Sequence, residues 1–197
     1  MKRFTFGMII LILLLTTACS NDEKGDANIT ETDINEFESH LTDLLTDVSF
    51  LYEVDIENDD IHLMELTIDY YEKGAFKEEI SYFRSSISEK DKKEPLRIFV
   101  ARQQSEDETE QWISSIMSKN GYTSTVAGPF PVTEYASTAH NQTNLPLAIN
   151  IGEEKIIGVF VRTNKNSSTS INEIKSKEDL KAATDYEEAY VIKLKIK

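Results

Sequence analysis

Cysteine is nearly absent from this sequence, since Cys19 is the only one among 197 residues. An intramolecular disulfide therefore cannot form, and the stability of the fold must come from a hydrophobic core. The chain is long enough for one, because a domain of this size buries about two thirds of the surface that its unfolded chain exposes. We expect a single globular domain.

Glycine is also scarce, and the catalytic motifs that depend on it are missing. Seven glycines form no G-x-S-x-G elbow, no phosphate-binding P-loop and no G-x-G-x-x-G dinucleotide motif. No Ser-x-x-Lys pair occurs either. The sequence therefore identifies no catalytic residue and implies no cofactor. We expect a noncatalytic protein, and the alternative is an enzyme such as a hydrolase whose site is assembled only by the fold.

Metal-binding patterns are missing as well. His40, His62 and His140 lack the H-E-x-x-H or similar close spacing of a zinc site. The acidic run at residues 55–60 (DIENDD) has Asp60 and Leu66 where an EF-hand loop needs glycine and glutamate. We predict no metal site, and we interpret this run as a turn, where Asp and Asn are common.

Long apolar runs are limited to residues 8–15 (MIILILLL), which follow Lys2 and Arg3 and precede Ala18 and Cys19. This run is too short to cross ~30 Å of hydrocarbon comfortably. A positive start, a short apolar region and small residues at a cleavage point are typical of a secretory signal peptide.

The same stretch resembles the lipobox of bacterial lipoproteins, although Thr16 stands where leucine is usual. The resemblance implies that residues 1–18 are a signal peptide and that Cys19 is lipidated after cleavage. Two or three acyl chains make release from a bilayer negligible. The resemblance thus predicts a protein anchored to the extracytoplasmic face of the cell membrane.

Two later segments, 145–160 (LPLAINIGEEKIIGVF) and 186–197 (YEEAYVIKLKIK), are similar to small uncharacterised lipoproteins of Gram-positive bacteria. This similarity points to no named family and implies no activity. It favours a Gram-positive envelope, while the composition is also compatible with a Gram-negative one.

Basic residues are scarce near the N-terminus. Residues 20–60 contain fourteen acidic side chains and one lysine. Such a segment is repelled by phosphate backbones and anionic lipid, so nucleic acid is excluded as a partner. We interpret the acids as a solvated helix face and tether, with a cationic partner as the alternative. Residues 19–30 are predicted to be a lipidated flexible tether, and residues 31–197 a single globular domain.

Helical spacing follows the tether. Thr32 can cap a helix over about 33–46, in which five apolar residues recur at intervals of three and four: Ile34, Phe37, Leu41, Leu44 and Leu45. The pattern predicts an amphipathic helix that buries this stripe.

Most of the remaining chain has the period-two pattern of β-strands. The predicted strands are 48–56, 61–71, 76–82, 96–101, 123–126, 147–151, 155–162 and 190–196, with one or two helical turns at 175–183. Residues 106–119 fit either a strand or a helix with a capping box at Ser105 and Glu108, and we favour the strand. The predicted fold is a mainly β, antiparallel sandwich, immunoglobulin-like or related, with an N-terminal amphipathic helix; the alternative is an α+β fold with a second helix near 106–119.

Aromatic side chains are the remaining candidates for a site, as a groove for carbohydrate or peptide. They are Tyr70, Tyr71, Tyr82, Phe83, Trp112, Tyr122, Phe130 and Tyr135. Adjacent aromatic residues on a strand point to opposite faces, so one of each pair can be exposed. We expect an envelope lipoprotein that acts as a noncatalytic binding or interaction module, with an envelope protein or peptide as its partner; the alternative is an envelope enzyme.

Overall fold

The structure is a computed structural model that describes residues 25–165, 169–172 and 174–197. Strands make up most of these residues, and most of the strands have one apolar side. The elements in chain order are β1 (Ala27–Glu31), α1 (Glu36–Leu45), β2 (Val48–Ile56), β3 (Leu63–Glu72), β4 (Ala75–Ser86), a 3₁₀ turn (Asp91–Lys93), β5 (Leu96–Gln104), β6 (Thr109–Ser118), β7 (Gly121–Pro131), β8 (Ser137–Gln142), β9 (Leu147–Ile149), β10 (Glu154–Thr163), α2 (Lys177–Thr184) and β11 (Glu188–Ile196).

These strands form two antiparallel sheets. The six-stranded sheet has the order β7-β6-β5-β2-β1-β9, and the five-stranded sheet has the order β4-β3-β11-β10-β8. Phe50 of β2 is paired with Val100 of β5, and Tyr190 of β11 is paired with Tyr70 of β3. Because side chains alternate along each strand, each sheet has one apolar face, and these two faces pack against each other.

The core lies between these two faces. It contains Phe50, Tyr52 and Val54 of β2 together with Leu66 of β3 and Ile192 of β11, all buried. The hydroxyl of Tyr52 donates a hydrogen bond to the carbonyl of Ile157 in the opposite sheet. The predicted fold class, a mainly β antiparallel sandwich with an N-terminal helix, is confirmed.

Residues 109–118 form strand β6. The structure therefore has the favoured strand, and not the alternative helix, at this place. The second helix is α2, at the place where one or two helical turns were predicted. Its Ala183 packs on the outer face of the five-stranded sheet with Val159 and Val191, and Leu180 packs against the same cluster. α2 therefore covers an apolar part of this face.

The predicted tether is too long. β1 pairs with β2 on one side and β9 on the other, and it buries Ala27 and Ile29. A Cβ atom on Gly25 would lie 2.7 Å from the backbone nitrogen of Ile149, so the chain is already packed there. The sandwich therefore starts before the predicted boundary at residue 31. A five-residue strand (ANITE) with two buried side chains is too short to stand out by periodicity.

Candidate functional site

Helix α1 begins with a capping box. The side chain of Asn35 accepts a hydrogen bond from the backbone N–H of Glu38 at 3.0 Å, and the Glu38 carboxylate accepts one from the backbone N–H of Asn35 at 3.0 Å. These two bonds satisfy donors that no helical carbonyl reaches. The cap is therefore Asn35 rather than the predicted Thr32.

The roll of α1 turns its polar side toward the six-stranded sheet. Glu38, Ser39 and Thr42 are the half-buried residues of this helix, and the Glu38 carboxylate lies 3.6 Å from Arg97 of β5. At the other end, Asp47 donates its backbone N–H to the carbonyl of Arg102 and leads directly into β2. The cap and this short connection fix the orientation of the helix about its axis.

The apolar side of α1 consequently faces solvent. The exposed fractions are 70% for Phe37, 39% for Leu41, 78% for Leu44 and 56% for Leu45, and no residue of α1 is buried. We call these four residues the α1 stripe. The prediction that they are buried is wrong, because periodicity identifies an apolar face but not the direction in which the helix is rolled. Ile34, the fifth residue of the predicted stripe, precedes the helix and is half-buried.

Exposed carboxylates lie on α1 and in the segment that precedes it. Glu31, Asp33, Glu36 and Asp43 are exposed, and no cation of the described residues lies within ion-pair distance of them. Asp47 is also exposed and lies 3.7 Å from Arg102. This part of the surface therefore presents both apolar side chains and carboxylates to solvent. Exposed apolar side chains with a polar rim are typical of protein interaction sites.

The eight predicted aromatic residues do not form one groove. Trp112 and Phe83 are buried, and Tyr70, Tyr71, Phe130 and Tyr135 are half-buried or packed against the core. Tyr82 and Tyr122 are exposed, but they belong to different sheets. The hydroxyl of Tyr82 donates to Glu65 at 2.8 Å.

The three histidines lie on separate elements. His40 is exposed on α1, His62 precedes β3, and His140 on β8 contacts the ring of Phe50 edge-on at 5.9 Å. Among the described residues, no group of three or more His, Cys, Asp or Glu side chains could hold a metal ion.

The acidic run at 55–60 forms a turn through its asparagine. Asn58 Oδ1 accepts the backbone N–H of Asp60 at 2.9 Å, and Asn58 Nδ2 donates to Asp26 at 2.8 Å. Asp26 also accepts the backbone N–H of Ile151 at 2.8 Å, and this bond is the main cause that lowers the pKa of Asp26. The turn thus fastens the start of β1 to the end of β9.

Four buried charged residues form a network that the sequence did not reveal. Glu110 of β6 accepts from Arg102 Nε at 2.7 Å and from Arg162 Nη2 of the opposite sheet, while Arg162 Nη1 donates to Glu188 at 3.0 Å. Burial lowers the pKa of Arg162, but Tyr190 and these carboxylates outweigh it and raise the pKa overall. The only signal was a charged residue at the end of an apolar run, as in residues 156–162 (IIGVFVR).

Tyr135 joins this network from the segment between β7 and β8. Burial is the main cause that raises the pKa of Tyr135 to about 12, followed by the charge of Glu188. The network links the two sheets with both guanidinium groups near the ring of Phe160, at 5.5 Å for Arg102 and 5.4 Å for Arg162. It leaves no charged member solvent-exposed, so its contribution is to the sandwich itself.

The predicted lipidation residue Cys19 and the signal at 1–18 lie outside the described residues. Within the described part of the chain, no helix is both long and apolar enough to cross a membrane.

Comparison with known proteins identifies one family. The model of the YgaN domain matches residues 28–196, a range that runs from β1 through α1 to the end of β11. Neither the curated proteins nor the solved structures include a significant match. Because the family model covers the whole sandwich, this chain belongs to the YgaN domain family.

Proposed function

We propose that this protein is a lipid-anchored envelope protein that binds a protein or peptide partner through the α1 stripe. The observation that carries the proposal is the exposure of Phe37 (70%) and Leu44 (78%) on a helix whose polar side faces the sheet. α2 uses its apolar side to pack on a sheet, and α1 does not. A partner that covers the stripe removes this apolar area from water.

Exposed carboxylates on α1 and before it indicate the charge of the partner. Exposed carboxylates at Glu31, Asp33, Glu36 and Asp43 favour basic residues beside the apolar ones, as in a basic amphipathic helix that lays its apolar face on the stripe. The same carboxylates are repelled by the negative surface potential of anionic lipid. The partner is therefore a polypeptide rather than the bilayer.

The anchor supports this role. Only residues 20–24 separate Cys19 from Gly25, and a chain extends at most ~3.6 Å per residue, so a lipidated Cys19 holds the sandwich within about 20 Å of the bilayer. The α1 stripe is then close enough to meet membrane proteins or their extracellular segments.

The anchor is tested by the intact mass of the membrane-extracted protein beside a Cys19→Ala variant. We expect a chain that lacks residues 1–18 and carries diacylglycerol, and we expect the variant to lose the lipid and leave the membrane fraction. An uncleaved or unlipidated wild-type chain would contradict the anchor.

The binding surface is tested with two labelled leucine–lysine peptides of identical composition, one with its leucines on one helical face and one scrambled. Fluorescence anisotropy with the mature chain is expected to show binding of the amphipathic peptide that the Leu41→Ser, Leu44→Ser double variant loses. Ile151→Ser is the matched control, because Ile151 is 41% exposed outside α1.

Charge and lipid supply two further arms of this experiment. The Glu36→Gln, Asp43→Asn variant is expected to bind the peptide more weakly, and added salt to weaken binding to the wild type. Equal binding of both peptides, or binding of the unlipidated chain to anionic vesicles through Leu41 and Leu44, would contradict a polypeptide partner.

A further inference from the structure

A small cleft opens where the two sheets meet at one edge. Strand β4 ends the five-stranded sheet, β7 ends the six-stranded sheet, and the hydroxyls of Ser85 and Thr123 bridge them at 3.5 Å. The cleft has a volume of ≈ 250 Å³ and continues to the 3₁₀ turn at Asp91 and the hairpin turn at Asn120. This volume is slightly below the usual range of ligand pockets, roughly 300–1,000 Å³.

The base of this cleft is apolar and its walls carry hydroxyl groups. Ile87, Leu96 and Ile116 are buried residues of the core that reach its surface. The polar lining side chains are Ser85, Ser86, Asp91, Ser118, Asn120, Tyr122 and Thr123, and no lysine or arginine is among the lining residues.

The one charged group of the lining is a fixed carboxylate. Asp91 accepts hydrogen bonds from the hydroxyl and the backbone N–H of Ser88, at 2.5 and 3.1 Å, and from Asn120 Nδ2 at 3.0 Å. The bond from the Ser88 hydroxyl is the main cause that holds the pKa of Asp91 well below its usual range. A negative wall without a cation disfavours carboxylate or phosphate ligands.

We propose that this cleft binds a single neutral pyranose ring. The C–H face of such a ring matches the ring of Tyr122, which is 76% exposed. Its hydroxyls match the walls, where serine and threonine hydroxyls can donate or accept. The proposal is independent of the α1 stripe and of the lipid anchor.

The test is an ¹⁵N–¹H NMR titration of the mature chain with methyl β-glucopyranoside. Saturable shifts are expected for amides of residues 85–87 and 118–123 at millimolar sugar. Sorbitol, which has hydroxyls but no ring, and glucuronate, which is anionic, are expected to give at least several-fold weaker binding. Absence of saturable shifts at tens of millimolar, or equal shifts with sorbitol or glucuronate, would overturn the proposal.

Two variants connect the binding to the cleft. Tyr122→Ala removes the exposed ring and is expected to weaken binding about five- to tenfold, and Thr123→Val, which replaces a hydroxyl by a methyl group, to weaken it several-fold. Tyr82→Ala is the matched control, because Tyr82 is the exposed tyrosine of β4 outside the cleft lining. Unchanged affinity in Tyr122→Ala, or an equal loss in Tyr82→Ala, would place the ligand elsewhere and contradict the assignment.

Discussion

Arg162 of the five-stranded sheet donates a hydrogen bond to the carboxylate of Glu110 in the six-stranded sheet. Arg102 donates to the same carboxylate at 2.7 Å, so one glutamate lies between two buried cations. Buried charges are tolerated only where they are paired and hydrogen-bonded. This relationship makes Glu110 the residue on which the network between the sheets depends.

Replacing Glu110 by Gln is expected to lower the free energy of unfolding by about 3–5 kcal/mol, because Arg102 and Arg162 keep their charges in the core without that partner. Urea unfolding followed by the fluorescence of Trp112, the single tryptophan, measures the change. The control is Glu94→Gln, whose pair with Lys119 is exposed and contributes at most about 1 kcal/mol. Similar losses in both variants would contradict the role of the buried network.

Gly158→Ala tests the spacing between the sheets. A Cβ atom at this position would lie 2.7 Å from Phe50 Cδ1, and the Phe50 ring is fully buried. Overpacking of this kind is expected to cost about 1–3 kcal/mol in urea unfolding. Phe50→Leu makes room, so the double variant should lose less stability than the two single variants added together. Strict additivity would show that the two residues do not meet.

Alkaline pH is expected to unfold the protein through its buried tyrosines. Burial raises the pKa of Tyr52 and Tyr190 well above the ordinary value, and raises that of Tyr135 to about 12. A phenol with a raised pKa in the folded state contributes stability that is fully present below the unfolded pKa of about 10 and lost as the pH rises above it.

Urea midpoints measured from neutral to alkaline pH are therefore expected to stay constant up to about pH 10 and to fall above it. Tyr52→Phe should lower stability at neutral pH by about 1 kcal/mol, because the bond to the Ile157 carbonyl is lost. It should also make the alkaline loss shallower by up to about 1.4 kcal/mol per pH unit, since one phenol no longer ionises. An alkaline slope identical to that of the wild type would rule Tyr52 out as a contributor.

The sequence alone was sufficient to predict the buried face of strands in which apolar residues alternate regularly. The alternation places Val48, Phe50, Tyr52, Val54 and Ile56 on one face of β2; the first four are buried, and Ile56 is half-buried against the core. The alternation predicts burial because each of these strands has one face in the core. The order of the strands depends on pairings between distant segments, such as β3 with β11, and no local pattern contains that information.

Alternation failed at an irregular strand. The pairing of β3 with β4 shifts between Ile68 and Asp69, which leaves Ile80 as an extra residue opposite them. The shift turns Phe83 inward and leaves Tyr82 49% exposed, whereas the alternation placed Tyr82 on the same side as Ile80. A bulge reverses the faces of the residues that follow it, and the residue types in this segment gave no signal of one.

The candidate site was recognised in part. The residues of the α1 stripe were identified correctly as one face of a helix, but their exposure follows from the cap at Asn35 and the connection at Asp47, which fix the roll of α1. The buried network and the cleft were missed because each joins both sheets. Residues as distant in sequence as Glu110 and Arg162 meet only in the folded protein.

The free energy of unfolding of the Leu41→Ser, Leu44→Ser double variant tests the exposed α1 stripe most directly. We predict a loss of at most about 1 kcal/mol relative to the wild type, since neither side chain is buried and each surface substitution contributes about 0.5 kcal/mol. Leu66→Ala, in the core, should lose about 2–5 kcal/mol in the same measurement. A loss of about 2 kcal/mol or more in the double variant would show that the stripe packs against the sandwich and would contradict its role as a binding surface.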